Sequence, residues 1–74
     1  MILMSYIKPL IIIHSSELLS GRLTISDDSG KVIETYNISN NDYFFSVAIK
    51  IDHGNFITAL YQTDKGKIKK IFYP

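Results

Sequence analysis

Cysteine is absent from this 74-residue chain, and histidine occurs only twice. The absence of cysteine excludes a disulfide framework, and two histidines alone cannot complete a zinc site. The chain also lacks a large excess of charge of one sign, since the formal net charge is +1. The overall charge therefore implies no attraction to nucleic acid or anionic lipid. We expect no metal and no cofactor, and stability must come from packing.

Long apolar runs are missing as well. Lys8 and Pro9 interrupt the apolar stretch between Met1–Met4 and Leu10–Ile13, and neither run approaches the roughly 20 residues that a membrane-spanning helix needs. No cluster of positive charge precedes them, as it would in a signal peptide. We expect no membrane span. An exported domain with this sequence would be a fragment or the mature region of a longer protein.

The residues that are present describe one small folded domain, 1–74. Hydrophobic residues make up 46% and charged residues 20% of the chain, a composition far from that of disordered proteins. A domain of this size removes only about 60% of its unfolded surface from water. We therefore expect modest stability, to which a partner can add.

Three triplets of the form Asp-x-Gly separate runs of β-branched and aromatic residues: Asp28–Gly30, Asp52–Gly54 and Asp64–Gly66. An Asp side chain at such a position can bond the backbone two residues later. Gly can take the positive φ that ends a short hairpin turn with a bulge. The triplets predict β-hairpins and hence an antiparallel sheet.

Alternation of apolar and polar residues predicts the strands between these turns. They are Arg22–Asp27, Lys31–Ile38, Tyr43–Ile51, Asn55–Thr63 and Lys67–Tyr73, preceded by Leu10–His14 and a further strand at Met4–Ile7. Ser15–Gly21 is predicted as one helical turn or a loop. Six or seven short strands about ten residues apart favour a β-sandwich or a small barrel.

The strand Tyr43–Ile51 alternates most cleanly, and one of its faces is assigned to the core: Phe45, Val47, Ile49 and Ile51. Phe44 must then face the other way, where its neighbours Ser46 and Ala48 are too small to cover it. An exposed aromatic side chain is a typical contact point for another chain or domain. The alternative is that the N-terminal segment of the same chain covers Phe44.

The strand Asn55–Thr63 has apolar residues on both faces and is predicted to be central. We assign Phe56 and Leu60 to the core, which places Ile57 and Tyr61 on the opposite face with Phe44. A monomer would leave part of that apolar surface exposed to solvent. We therefore predict that Phe44, Ile57 or Tyr61 contacts a protein partner, either a second copy in a homodimer or a neighbouring domain.

Three sequence segments, LTISDDSGKVIE at 23–34, FSVAI at 45–49 and GNFITALYQTDKGKIKK at 54–70, resemble the small immunoglobulin-like β-sandwich domains of Bacteroidetes exported proteins. Similar groups are the C-terminal sorting domain of type IX secretion and a stand-alone domain family of unknown function. The Pro-Asn-Pro start of the sorting domain is absent, which favours the stand-alone family. The resemblance implies an immunoglobulin-like sandwich that acts outside the cell or at its surface as a non-catalytic accessory or interaction module.

Other reactive residues are few. His14 lies beside Ser15 and Ser16, and His53 lies beside Asp52 at a hairpin tip, but a nucleophile needs a base and an oxyanion site in one cleft. Catalysis is not expected. The alternative function is a small barrel that binds single-stranded nucleic acid through the strand Lys65–Tyr73, where lysines alternate with apolar and aromatic residues. The same lysines are also typical of a solvent-exposed edge strand, where their charge opposes pairing with another chain.

Overall fold

A computed structural model describes residues 1–39, 42–49 and 55–73. This described part of the chain forms seven antiparallel strands. Within these ranges every regular element is a strand: β1 (Ile2–Ile7), β2 (Leu10–Ser15), β3 (Gly21–Ser26), β4 (Val32–Ile38), β5 (Phe44–Ala48), β6 (Ile57–Thr63) and β7 (Gly66–Phe72). The connection from β2 to β3 is a loop, which decides between the two alternatives for that segment.

The strands form two sheets, so the all-β sandwich predicted from the sequence is confirmed. One sheet has the order β1-β2-β5 and the other the order β4-β3-β6-β7. β6 is central, as predicted, and β4 and β7 are edges. No ladder joins the two sheets in the described part of the chain. The described ladders therefore form two separate sheets and not a closed barrel.

The core lies between the two sheets and is built from side chains that alternate along each strand. Its buried members are Met4, Ile11, Ile13, Leu19, Leu23, Ile25, Ile38, Ile49, Ile57, Ala59 and Tyr61. Phe45 and Val47 pack against this cluster while partly exposed. The core face predicted for β5 is thus confirmed for its described residues, and Ile51 lies outside them.

The face predicted for β6 is wrong. Ile57 and Tyr61 are each 1% exposed and belong to the core, whereas Phe56 and Leu60 point outward and are half-buried. Both faces of this strand are apolar, so alternation alone gives no preference. Register decides, because Tyr61 lies beside the fully buried Leu23 of β3.

The predicted glycine conformations are confirmed at two turns, where Gly30 has φ 90° and Gly66 has φ 149°. A positive φ is strained for residues with a Cβ atom. In the β6–β7 turn, Thr63 Oγ1 accepts the Lys65 N–H at 3.1 Å. The third triplet, Asp52–Gly54, lies outside the described residues.

The β3–β4 turn takes its side-chain bonds from Asp27 and not from the predicted Asp28. Asp27 Oδ1 accepts the backbone N–H groups of Ser29 and Lys31, each at 2.9 Å. Asp28 Oδ2 instead accepts the Asn55 N–H at 2.8 Å. The two neighbouring carboxylates therefore have different roles. Asp27 stabilises the turn, and Asp28 connects the turn to the segment before β6.

Aromatic pairs close the two long sides of the sandwich. Tyr6 of β1 and Phe72 of β7 have ring centroids 5.7 Å apart. Tyr36 of β4 and Phe45 of β5 are 6.0 Å apart on the opposite side. Each pair joins an edge strand of one sheet to an edge strand of the other. Both sheets therefore present their remaining faces outward, and these two faces differ in chemistry.

Candidate interaction surface

The outer face of the three-stranded sheet carries no acidic residue, lysine or arginine within its described strands. We call it the apolar face; its members are Leu3, Ser5, Ile7, Leu10, Ile12, His14, Phe44, Ser46 and Ala48. The register arranges them in three rows across the strands, Leu3-His14-Phe44, Ser5-Ile12-Ser46 and Ile7-Leu10-Ala48. Among these members, only the serines and the histidine have polar side chains.

Several large side chains on the apolar face are open to solvent. Ile7 is 64% exposed, Leu3 55%, Phe44 48% and Leu10 37%. Antiparallel sheets that face water on one side normally place polar residues on that side. Contiguous apolar surface is typical of contact sites. This face therefore has the composition of an interface and not of a solvated surface.

Phe44 lies at the end of one row of this face. Its ring meets the His14 ring edge-on, with centroids 6.2 Å apart. The prediction that Phe44 faces away from the core is confirmed. β1 and β2 lie beside β5 in the same sheet and not over it, so the N-terminal segment leaves Phe44 half exposed. Its contact with a partner remains a prediction.

Ile57 and Tyr61, the other two predicted contact residues, do not lie on any surface. Both are core side chains, so in this fold neither lies at a surface where it could make the predicted contact with a second copy or a neighbouring domain. The Tyr61 hydroxyl accepts the Ser20 N–H at 3.0 Å. Burial raises the pKa of this phenol, and the bond from Ser20 offsets part of that rise. Tyr61 therefore holds the β2–β3 loop to the core.

The outer face of the four-stranded sheet is mostly polar. We call it the polar face; its members are Arg22, Thr24, Ser26, Val32, Thr35, Asn37, Thr58, Leu60, Gln62, Lys67, Lys69 and Ile71, of which Val32 and Ile71 are exposed apolar side chains. The Arg22 Nε atom donates to Asn37 Oδ1 at 3.4 Å across neighbouring strands. This face carries charged and polar side chains on every strand pair and serves as an internal reference for the apolar face.

The lysine cluster predicted as a nucleic-acid site is divided by the fold. Lys67 and Lys69 lie on the polar face, but Lys65 Nζ is 3.6 Å from a carboxylate oxygen of Glu17. Lys70 turns the other way and bonds to the backbone of β1. Only two of the four lysines therefore share a face.

The residues weighed for catalysis do not converge. His14 belongs to the apolar face, whereas Ser15, the next residue of the strand, points to the opposite side. Ser15 Oγ accepts the Glu17 N–H at 2.9 Å, and Ser16 Oγ accepts a bond from the Met1 amino group at 2.8 Å. His53 lies outside the described residues. Both hydroxyls thus shape the loop that follows β2.

An open groove of about 800 Å³ lies at this end of the sandwich. The β2–β3 loop and the β6–β7 turn form its walls, and the Glu17–Lys65 ion pair joins them. Within the described residues, no three acidic, histidine or cysteine side chains are grouped as a metal site. The groove therefore has mixed polar and apolar walls, and its described residues include no set of metal ligands.

The sequence analysis missed Leu3, Ile7 and Leu10 as surface residues. The available signal was the absence of any charged residue on either side of β1 and β2, Ile2–Ile7 and Leu10–Ser15. A strand that is apolar on both sides is covered on both sides. The core covers only one side of these strands, and the other side is the apolar face.

Comparison with models of known protein families finds no match to this sequence, and comparison with curated proteins finds no relative. In the part of the chain that the structure describes, no helix has the length and hydrophobicity to cross a membrane. The surfaces themselves are therefore the basis for assigning a function.

Proposed function

We propose that this chain is a non-catalytic interaction module, with an immunoglobulin-like sandwich, that binds another protein through its apolar face. The observation that carries the proposal is the contrast between the two outer faces of one small domain. One face has three cationic side chains among threonines and amides, and the other has none. Both faces would be polar if both were solvated.

The strand order supports the immunoglobulin-like part of the proposal. In immunoglobulin sandwiches, strands A, B and E belong to one sheet, and C, F and G belong to the other, which can add C′ beside C. Here β1, β2 and β5 occupy the places of A, B and E, and β4, β3, β6 and β7 those of C′, C, F and G. A role in an exported bacterial protein rests on the sequence resemblance.

The pattern of exposure supports a protein as the occupant of the apolar face. Protein contacts are centred on apolar and aromatic side chains with few charges, whereas nucleic acid and anionic lipid select cationic surfaces. Leu3, Ile7 and Phe44 are each about half exposed or more, and Ser5 and Ser46 interleave with them as small polar contacts. Such a surface fits an uncharged patch on another folded domain.

Site-specific photo-cross-linking in cells that make the protein tests this proposal. A photoreactive phenylalanine analogue replaces Ser5 at the centre of the apolar face, and in a control chain it replaces Thr35 of the polar face. We expect protein adducts from position 5 only, and their loss when Ile7→Lys is added. Adducts from both positions alike, or none from position 5, would overturn the proposal.

Heparin chromatography tests the nucleic-acid alternative. Phosphate binding gives a steep dependence on salt concentration, and Lys67 and Lys69 are the side chains that would supply it. We expect elution at low salt, unchanged in Lys67→Ser/Lys69→Ser. Strong retention that the double substitution removes would replace the proposed function with binding of nucleic acid through the polar face.

A further inference from the structure

Three of the four edge strands are protected against pairing with another strand. On β1, Lys70 Nζ donates to the Met4 carbonyl oxygen at 2.9 Å and so occupies the free edge. β7 carries Lys67 and Lys69, and lysines on an edge oppose pairing. β4 has Glu34 and a register shift opposite Ile25/Ser26, and such irregularities also disfavour pairing.

The fourth edge, β5, has none of these devices. Its sequence FFSVA contains no charge and no proline, and its register with β2 is regular. β5 pairs with β2 on one side, and no described strand lies along its other side. Within the described residues, the outer edge of β5 therefore pairs with no strand, and it lies beside the apolar face.

Hydrogen bonds at the two ends of β5 identify the backbone groups that point away from β2. The Ser15 N–H bonds to the Tyr43 carbonyl at 2.9 Å, and the Ile49 N–H bonds to the Pro9 carbonyl at 2.8 Å. Residues with odd numbers in β5 thus point toward β2. Since peptide groups alternate along a strand, the N–H and C=O groups of Phe44, Ser46 and Ala48 point toward the free edge.

The sequence of β5 complements itself when two copies run antiparallel. With Ser46 opposite Ser46 of a second copy, Phe44 lies opposite the small Ala48 at both ends. All three residues exchange backbone bonds in this register, six in total by the geometry of an antiparallel ladder. Large side chains meet small ones, and no charges oppose each other.

We infer that β5 pairs with β5 of a second copy across a two-fold axis at Ser46, which gives a continuous six-stranded sheet. The contact is isologous, as in most homodimers. It joins the two apolar faces into one larger surface. The inference goes beyond the proposed function, because it concerns the edge of the sheet and does not require that the face has a partner. Because β5 has only five residues, the dimer is weak and reversible.

A charge-exchange experiment tests the pairing and its register. Ser46→Lys places like charges opposite each other at the axis and should weaken dimerisation about ten-fold, as should Ser46→Glu. An equimolar mixture of the two should form a heterodimer at least as tightly as the wild-type dimer. Ser5→Lys and Ser5→Glu are the matched controls, since Ser5 lies in the same row but on β1. Sedimentation velocity measures every combination.

A second pair of variants tests the backbone bonds. Ser46→Pro removes the N–H that points to the free edge and leaves the ladder with β2 intact, so it should abolish the dimer in a folded chain. Ser46→Ala keeps the N–H and should preserve the dimer. Circular dichroism verifies the fold of each variant.

A wild-type chain that stays monomeric up to about 1 mM, a range that covers weak interfaces, would overturn the inference. Failure of the Ser46→Lys and Ser46→Glu mixture to associate would also overturn it. Neither result would affect the cross-linking from position 5 that tests the proposed function, so the two failures are distinguishable.

Discussion

The orientation of β6 can be tested by truncating one side chain on each of its faces. Ile57 is 1% exposed within the core, and Leu60 points outward from the same central strand. Ile57→Ala removes a fully buried side chain from close packing, which costs about 2 to 5 kcal/mol. Leu60→Ala removes half-buried surface without leaving an enclosed cavity, and we expect a cost below about 1.5 kcal/mol.

These magnitudes are large relative to the stability of such a domain. A chain of this size has a free energy of unfolding of about 4 to 11 kcal/mol. Each kcal/mol changes its Tm by about 4 to 8 °C, so Ile57→Ala should lower Tm by at least about 8 °C. Both variants place alanine in the same strand, and its lower β-propensity therefore affects both alike.

Urea unfolding followed by circular dichroism measures both variants against the wild type. We expect the midpoint to fall much further for Ile57→Ala, with similar m-values for all three proteins, since m reports the surface exposed on unfolding. The experiment uses dilute protein so that association does not contribute. Equal destabilisation by the two substitutions, or a larger effect of Leu60→Ala, would refute the assignment of the Ile57 face to the core.

Two further substitutions test local geometry. Gly21→Ala should lower the free energy of unfolding by about 1 to 3 kcal/mol, because its Cβ atom would overlap the Gln62 carbonyl oxygen of the neighbouring strand; an unchanged urea midpoint would contradict this close approach. Bonds from Ser29 and Lys31 lower the pKa of Asp27, so its contribution to stability is present above its unfolded pKa and is lost as pH falls through the folded pKa. Asp27→Asn should lower Tm at neutral pH and flatten the fall of Tm between about pH 5 and pH 2, and identical pH profiles would contradict that role.

The sequence was informative wherever the two sides of a strand differ in chemistry. β5 places Phe45 and Val47 on one side and Ser46 and Ala48 on the other, so its core face was predictable. β6 has apolar residues on both sides, and only pairing with β3 decides between them. Pairing within a sheet between strands that are distant in sequence, such as β3 and β6, is a long-range property that no local sequence pattern reveals.

The candidate site was predictable only in part for the same reason. Phe44 was found because its neighbours are small. Leu3 and Ile7 were missed because β1 has apolar residues on both sides. Its sequence therefore does not indicate which side faces the core. The choice of Asp27 over Asp28 in the first turn was equally ambiguous, since two adjacent carboxylates satisfy the same sequence pattern and only backbone geometry selects one.

The order in which the chain visits its two sheets has a consequence for folding. β1 and β2 belong to one sheet, β3 and β4 to the other, β5 returns to the first, and β6 and β7 complete the second. The three-stranded sheet is complete only after the chain has crossed between the sheets twice, and the four-stranded sheet only after a third crossing. The β2–β5 and β3–β6 ladders bring together distant segments. Such non-local pairing slows folding. Each hairpin alone has no second layer on which to bury its apolar side, so the seven strands should fold and unfold as one cooperative unit.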